Sequence, residues 1–245
     1  MYNHINSKNF VRIFLKRILF KYNLTINKSA KVEFIKKFFD YLDKNTIQCE
    51  LLRFGEKNDG GYFIPNDLIN IEACLSAGIG NLCGFENQLT LQNIYCFMAD
   101  YSIDYPSINS KKISFLKKFI SNHTDSKNLT ASEWINTTTI KSKDYILKLD
   151  VEGDEYKIIS NLSEDELLRF RIIIIEFHHF NNILNIFGYE YISLIFKKIL
   201  KNFVIVKLHP TPLYSSIRYN DEFEIFDLYE ITFLRKDRIS KIKQS

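Results

Sequence analysis

The chain has 245 residues, a length that suits a single domain with a sizeable hydrophobic core. Hydrophobic residues make up 46% of it and aromatic residues 15%, which excludes a disordered chain. No apolar stretch is long enough to span a bilayer and no secretory signal is recognisable, so we expect a cytoplasmic protein.

The net charge is +4, but positive and negative residues are unevenly distributed along the chain. Residues 1–44 contain ten Lys or Arg against three Asp or Glu, and residues 235–245 contain five against one. The body between them is therefore acidic, and we expect no nucleic-acid partner. The basic ends can steer the protein toward anionic lipids or an anionic substrate.

The N-terminal region contains two predicted helices. Phe10–Tyr22 is basic and apolar, and Lys31–Leu42 has an apolar face. The first packs on the domain or on a partner, or it makes weak contact with a membrane surface. We divide the chain into a basic helical extension (1–45), a catalytic domain (46–236) and a basic tail (237–245), and we leave oligomerisation open.

Strands and helices alternate along the remaining chain. The predicted strands are 51–55, 73–77, 94–99, 113–116, 145–150, 172–177, 203–208 and 226–234. The predicted helices are 85–92, 130–136, 154–161 and 189–201. This alternation predicts an α/β fold with an open, mostly parallel sheet and helices on both faces.

A glycine-rich turn follows the strand at 73–77. Gly78 and Gly80 lie between that strand and a helix beginning near Glu86, which is typical of cofactor-binding turns, although an ordinary tight turn has the same composition. The next strand ends in Asp100, which can accept hydrogen bonds from a ribose diol.

A dense cluster of acids follows the strand at 145–150. Asp150, Glu152, Asp154 and Glu155 lie within six residues. Asp154 and Glu155 suit the first turn of the next helix, where the helix dipole favours negative charge. Asp150, still attached to the strand end, is the candidate for holding a cation or taking a proton.

Polar residues also follow the later strands. They are Glu176, His178, His179 and His209. Ligands bind at the carboxyl ends of the strands in such sheets, so these residues are site candidates, although a single histidine is more often structural. The four cysteines, 49, 74, 83 and 96, show no paired spacing and are predicted to be free thiols.

Four segments together resemble the FkbM family of S-adenosylmethionine-dependent methyltransferases. Residues 147–155 are close to its K-x-D-[IV]-E-G-x-E stretch, and residues 57–65 are similar to N-D-G-G-Y-x-[IV]-P. Residues 76–86 resemble S-x-G-[IV]-G-x…F-E, and residues 175–178 resemble x-E-[FL]-H. Residues 208–212 depart from the H-x-N-N of relatives, so no role is carried over to His209.

The resemblance implies a Rossmann-like class I methyltransferase fold with seven strands, the last antiparallel. It implies S-adenosylmethionine as the cofactor and a hydroxyl oxygen of a sugar or natural product as the acceptor. We therefore expect O-methylation of a sugar, either nucleotide-activated or in a capsule or polysaccharide precursor, in a bacterium.

The matching positions then receive expected roles. The expected cofactor-binding residues are Asp59, Gly60, Gly78, Gly80, Glu86 and Asp100. The expected catalytic residues are Asp150, Glu176 and His178, of which Asp150 or His178 would take the proton of the acceptor hydroxyl. Alternatively, Asp150, Glu176 and His178 would bind Mg²⁺ or Mn²⁺, which lowers the pKa of that hydroxyl.

Two other functions fit part of the pattern. An NAD-dependent oxidoreductase shares the glycine turn and the acid after the second strand, but Gly84 stands one place beyond the usual third glycine. A non-enzymatic, membrane-associated protein would use the basic ends.

Overall fold

The computed structural model describes residues 7–22, 24, 27–57, 59–138, 144–211, 215–219 and 223–242. Within them the strands are β1 (Leu51–Gly55), β2 (Gly61–Pro65), β3 (Ala73–Ala77), β4 (Tyr95–Ala99), β5 (Ile113–Leu116), β6 (Phe119–Ser121), β7 (Asn128–Thr130), β8 (Tyr145–Leu149), β9 (Phe170–Phe177), β10 (Phe203–Pro210), β11 (Ser216–Tyr219), β12 (Phe223–Phe226) and β13 (Tyr229–Arg235). The α-helices are α1 (Ser7–Phe20), α2 (Val32–Lys44), α3 (Gly84–Leu91), α4 (Ala131–Thr137), α5 (Glu155–Asn161), α6 (Glu164–Leu167), α7 (Ile186–Asn202) and α8 (Ile239–Ile242). Short 3₁₀ helices cover Phe180–Leu184 and Lys236–Arg238.

Seven strands form one central sheet in the order β10-β13-β9-β8-β3-β4-β5. All neighbouring pairs are parallel except those of β13, which runs antiparallel to both β10 and β9. The predicted α/β fold class is thereby confirmed, including the antiparallel last strand. Because β3, β4, β8 and β9 are parallel, their carboxyl ends meet at one edge, where the order reverses between β3 and β8.

Two apolar layers cover the sheet. One contains α2, α5 and α7, with Phe38, Ile158 and Phe196 buried against the sheet. The other contains α3 and the β1–β2 hairpin, with Phe54 and Phe85 buried. β9 is buried on both faces, and its sequence is the nearly continuous apolar run expected of a central strand.

The β1–β2 hairpin lies across the sheet near its carboxyl edge. Thr232 of β13 donates a hydrogen bond to the backbone oxygen of Phe63 (2.7 Å). Tyr62, the neighbour of Phe63 on β2, packs edge-on against Phe85 of α3, with ring centroids 5.2 Å apart. The hairpin therefore brings Tyr62 over the ends of β8 and β9.

Both segments assigned to the ends of the domain contribute to its packing. α2 belongs to the main core through Ile35, Phe38 and Leu42, although the sequence-based division placed it in the extension. Arg238 is buried and donates to Asp67, although it was placed in the tail. Residues 1–6, 23, 25, 26 and 243–245 of these segments lie outside the described residues.

A network of buried charges closes the opposite edge of the sheet. Arg171 contacts Asp67 (3.4 Å) and Asp144 (2.7 Å), and Arg238 also contacts Asp67 (2.6 Å). Arg235 donates to the second oxygen of Asp144 (2.5 Å). These contacts bind the C-terminal helical turn to the loops that precede β3 and β8.

α1 exposes most of its large apolar side chains. They are Val11, Ile13, Phe14, Leu15, Ile18 and Phe20. Phe14 is 55% exposed and Phe20 is 80% exposed. Among the described residues, every helix falls short of the length and apolar character needed to cross a bilayer. Contact of α1 with a membrane surface stays a prediction.

Several predicted elements differ from the structure. α7 begins at Ile186 rather than at residue 189, because the Asn185 side chain accepts a hydrogen bond from the backbone N–H of Gly188 and caps the helix. Short pairs β6–β7 and β11–β12 were not predicted. A capping box of Thr130 and Glu133 begins α4, and the four cysteines are free thiols, as predicted.

Candidate active site

A cavity of about 640 Å³ opens at the carboxyl edge of the sheet. Its volume lies within the range of small-molecule and cofactor sites. The residues that line it are Asp59, Gly60, Tyr62, Gly78, Ile79, Gly80, Asn81, Leu82, Ala99, Asp100, Ser102, Phe119, Ile120, Lys148, Asp150, Val151 and Glu152. Six of the predicted site residues are among them: Asp59, Gly60, Gly78, Gly80, Asp100 and Asp150.

The turn after β3 depends on Gly78. Its φ is +71°, and a Cβ atom there would lie 1.6 Å from the backbone oxygen of Asp150. Gly78 therefore lets the β3–α3 and β8–α5 loops touch at the floor of the cavity. Gly80 also has a positive φ, +49°, but a Cβ there would meet nothing within 4 Å.

Asp100 fixes the conformation of this turn. One carboxylate oxygen accepts from the backbone N–H groups of Ile79 (3.0 Å) and Gly80 (2.9 Å), and the other accepts from the N–H (2.7 Å) and hydroxyl (2.6 Å) of Ser102. Burial by itself raises the pKa of Asp100, but these four hydrogen bonds outweigh it and lower the pKa. Asp100 is therefore ionised. Its expected contact with ribose stays a prediction.

Three other predicted cofactor residues occupy different environments. Asp59 accepts a hydrogen bond from the N–H of Gly60 (2.9 Å), and the two form the tip of the hairpin at the cavity mouth. Glu86 is 1% exposed and does not line the cavity. Its carboxylate accepts a hydrogen bond from the Ser76 hydroxyl beneath the glycine turn, so it supports the turn from below.

The predicted catalytic residues come together beside the cavity. Ligand atoms of Asp150, Glu176 and His178 all lie within 4.8 Å of one another. The Tyr62 hydroxyl donates to Glu176 at 2.8 Å and lies 3.5 Å from Asp150. Of the three, Asp150 alone lines the cavity, so it is the group that a bound molecule meets.

Glu155 orients His178 from below. Its carboxylate is fully buried, and one oxygen lies 2.8 Å from Nδ1 of His178. The same oxygen accepts from the N–H groups of Val151 (3.2 Å) and Gly153 (3.1 Å). Nε2 of His178 is thereby turned toward Asp150, 3.9 Å away, and toward Glu152, 3.6 Å away.

Lys148 connects the two halves of the site. It is 3% exposed, and its Nζ donates to the backbone oxygen of Gly78 (2.6 Å). Nζ also lies 3.5 Å from Asp150 and 5.3 Å from the centre of the Tyr62 ring. A buried ammonium group is stable here because the charges of Asp150 and Glu86 surround it.

The surroundings set the protonation of the site. Burial and the charge of Asp150 raise the pKa of Glu176 to about 7. Burial lowers the pKa of His178, but the hydrogen bond and charge of Glu155 outweigh it and raise the pKa to about 9. Burial and the charge of Glu176 raise the pKa of Tyr62 well above its usual value. At neutral pH, His178 therefore carries a proton and Tyr62 acts as a donor.

The remaining polar strand ends lie outside this centre. His179 is exposed and lies 3.9 Å from Asp227. His209 is exposed at the end of β10, opposite Glu230 of β13. Neither lines the cavity.

Sequence reasoning missed Tyr62, Lys148 and the contact between Glu155 and His178. Lys148 was part of a quoted motif, but its position inside a buried strand gave no indication of what its ammonium group contacts. Tyr62 reaches the site only because the hairpin folds over the sheet. Glu155 was expected in the first turn of a helix and does lie there, but its carboxylate points inward to His178.

Comparison with known proteins identifies the family. Solved structures with a similar chain path include a SAM-dependent methyltransferase from Anabaena variabilis, with 10% identity, coverage of 96% of this chain and 98% of that one, and a TM-score of 0.36. They also include the delta-N METTL16 MTase domain, with 12% identity, coverage of 94% and 98%, and a TM-score of 0.33. Scores this low support no statement on function. No curated protein matches the chain. The model of the Methyltransferase FkbM domain matches residues 65–201, more than half of the chain. The protein belongs to the FkbM-domain family of methyltransferases, whose cofactor is S-adenosylmethionine.

Proposed function

We propose that the protein methylates a hydroxyl oxygen of a sugar, either nucleotide-activated or part of a cell-surface polysaccharide precursor, in a bacterium. One observation carries the proposal. A single cavity is lined both by the glycine turn and, next to it, by Tyr62, Lys148 and Asp150. A cofactor on the turn and a hydroxyl beside Asp150 would therefore meet in the same cavity, as in-line transfer requires.

The residues of the turn fit the cofactor. S-adenosylmethionine, when bound, supplies a methyl group on a positively charged sulfur. Gly80 leaves open space above the backbone, because nothing lies within 4 Å of the position of its absent Cβ. Asp100 already accepts four hydrogen bonds, which fill the sites of a carboxylate. We therefore assign the ribose to Asp100 and Ser102 together. When the ligand binds, the Ser102 hydroxyl would turn from Asp100 to the ribose, and the carboxylate oxygen that it leaves would accept a hydrogen bond from a ribose hydroxyl.

Asp150 is assigned as the proton acceptor. An unionised alcohol is a poor nucleophile, so its oxygen must lose a proton as it bonds to the methyl carbon and the carbon–sulfur bond breaks. Asp150 lines the cavity, and Lys148 lies 3.5 Å from its carboxylate. His178 carries a proton at neutral pH, so we assign it a positioning role. Its Nε2 lies 3.9 Å from Asp150, and Glu155 orients its ring through Nδ1, 2.8 Å away.

A divalent cation is a second proposal for the same centre. Two carboxylates and an imidazole nitrogen can bind one ion, and Glu155 supplies the carboxylate that usually orients a metal-binding histidine. Asp150, Glu176 and His178 would hold Mg²⁺ or Mn²⁺, which would lower the pKa of a bound hydroxyl. Methyl transfer that falls after EDTA treatment and returns with Mn²⁺ would support this. Transfer that is indifferent to EDTA would exclude it and leave Asp150 as the base.

The test of the main proposal compares two carboxylates of one loop. Purified protein would be incubated with a panel of sugars and nucleotide sugars and with cofactor labelled on its methyl group. Asp150→Asn should lower transfer by about 10²–10⁴-fold while S-adenosylhomocysteine still binds. Glu152→Gln is the neighbouring comparison: its side chain is 80% exposed but also lines the cavity, 3.6 Å from Nε2 of His178, so it should lower transfer much less than Asp150→Asn does. Equal transfer by Asp150→Asn and the wild type would refute the assignment.

Thermal denaturation distinguishes the proposed methyltransferase from an NAD-dependent oxidoreductase. S-adenosylhomocysteine should raise the melting temperature and NAD should not, because only a ligand that binds the native state stabilises it. Stabilisation by NAD alone would overturn the proposal.

A further inference from the structure

A group of cations lies beside the candidate active site, on the far side of strand β2. The guanidinium carbon of Arg53 lies 5.1 Å from the centre of the Phe63 ring, and Nζ of Lys207 lies 5.0 Å from the same centre. Two positive charges thus share one aromatic ring. Like charges gathered so closely repel each other, so the arrangement favours a bound anion.

The same cations act on two further side chains. Burial and the charges of Lys207 and Arg53 lower the pKa of His209. Both cations also lie close enough to Glu230 to oppose the effect of burial on its pKa. The geometry agrees: His209 pairs with Glu230 across β10 and β13, Lys207 lies two residues before His209 on β10, and Lys207 and Arg53 both contact the Phe63 ring. These four residues bring together two fixed positive charges, a histidine and a single carboxylate.

The sheet fixes the position of this group relative to the catalytic centre. His209 of β10 pairs with Glu230 of β13, and Glu230 pairs with Glu176 of β9, so the three form one row across the sheet. Neighbouring strands lie roughly 4.8 Å apart, which puts His209 about 10 Å from Glu176. A sugar ring and its phosphate can bridge such a distance.

We propose that Arg53, Lys207 and His209 form a subsite for a phosphate group of the methyl acceptor, so that the substrate is a phosphorylated or nucleotide-linked sugar rather than a neutral one. This inference rests on the proposed function. Arg53, whose Nη2 also donates to the backbone oxygen of Glu56 (2.6 Å), carries the planar guanidinium that suits phosphate, and Lys207 carries a point charge. The Phe63 ring lies 5.1 Å from the Arg53 guanidinium carbon and 5.0 Å from Nζ of Lys207, so one ring keeps both cations in this group.

Two kinds of variant change the charge of this group in opposite directions. Arg53→Gln with Lys207→Gln removes both charges while keeping most of each side chain. Glu230→Gln removes the one carboxylate of the group. The double variant should weaken phosphate binding by about tenfold for each cation removed, and Glu230→Gln should strengthen it.

Calorimetry on the full chain, saturated with S-adenosylhomocysteine, tests this with defined probes. Pyrophosphate, glucose 1-phosphate and UDP-glucose would be titrated, with glucose as the neutral control. We expect the phosphate-bearing probes to bind, glucose not to bind, and the affinity to fall in the double variant. Tighter binding of UDP-glucose than of glucose 1-phosphate assigns a nucleotide sugar, and the reverse assigns a simple sugar phosphate.

Two outcomes would overturn the subsite. One is the absence of binding by every phosphate probe, and the other is equal binding by the wild type and the double variant. Unchanged affinity for S-adenosylhomocysteine in the variant shows that it is folded. If the wild type itself fails to bind S-adenosylhomocysteine, the proposed function fails instead, so the two failures are distinguishable.

Discussion

Replacing Gly78 with Ala should disrupt the contact on which the candidate active site is built. The new Cβ would lie 1.6 Å from the Asp150 backbone oxygen, whereas ordinary contact begins at 3.4 Å. The β3–α3 and β8–α5 loops would therefore have to separate by about 1.8 Å. Because Asp150 moves with its loop, the substitution should affect both stability and catalysis.

The loss of stability has a backbone contribution and a packing contribution. A left-handed φ costs an alanine about 1–2 kcal/mol, offset by up to about 1 kcal/mol from the smaller entropy of the unfolded chain. Relief of the overlap adds about 1–3 kcal/mol. Gly78→Ala should therefore cost about 3 kcal/mol, and Gly80→Ala, with open space around it, about 1 kcal/mol. In a domain of this size these correspond to drops in melting temperature of about 6–12 °C and 2–4 °C.

Urea denaturation and thermal melts of both variants measure the difference. Both glycines have a positive φ and lie in the same turn, so Gly80→Ala isolates the backbone term. Gly78→Ala should also lose methyl transfer at a temperature where it remains folded. Equal stability of the two variants would refute the reasoning that the Gly78–Asp150 contact is tight.

Three further predictions concern other parts of the chain. Asp67→Asn removes the carboxylate that pairs with the buried charge of Arg238, while Arg171 keeps its contact with Asp144, and it should lower the free energy of unfolding by about 3 kcal/mol in urea titrations. A loss below about 1 kcal/mol would contradict the network. Burial raises the pKa of Glu230 to about 7, above its usual 4.5, so folding favours the protonated form. Its stabilising effect is complete below pH 4.5 and is lost as the pH rises through 7. Glu176, whose pKa is also about 7, contributes in the same direction, so Glu230→Gln should reduce the slope of melting temperature against pH without abolishing it, and an unchanged slope would disprove the prediction. Phe14→Asp should reduce co-sedimentation with anionic vesicles and leave binding of S-adenosylhomocysteine intact, and equal sedimentation of variant and wild type would argue against a membrane role for α1.

The regular part of the fold could be predicted because local pattern determines it. The strand at 172–177 is apolar throughout, and β9 is indeed buried on both faces of the sheet. The glycine turn, the acidic cluster and the histidine each followed a strand, and parallel strands bring such residues to one edge. The meeting of Asp150, Glu176 and His178 was therefore predictable.

The contacts that orient these residues were not predictable. Tyr62 lies 114 positions from Glu176, and their hydrogen bond depends on how the hairpin lies across the sheet. Lys148 and Glu155 carry charge inside apolar surroundings, which a sequence pattern registers only as an interruption. Gly78 was expected to admit a ligand, but its conformation serves the approach of another loop. Such features depend on tertiary packing rather than on local spacing.

The central claim is that the glycine-turn cavity binds the methyl donor next to Asp150. Calorimetric titration of S-adenosylhomocysteine into the wild type, Asp100→Ala and Asp150→Asn tests it most directly. We expect binding by the wild type and nearly unchanged binding by Asp150→Asn. Asp100→Ala should bind more weakly, because the glycine turn loses two hydrogen bonds to the carboxylate and Ser102 loses two more. Wild-type affinity in a folded Asp100→Ala variant, or no binding by the wild type, would contradict the account.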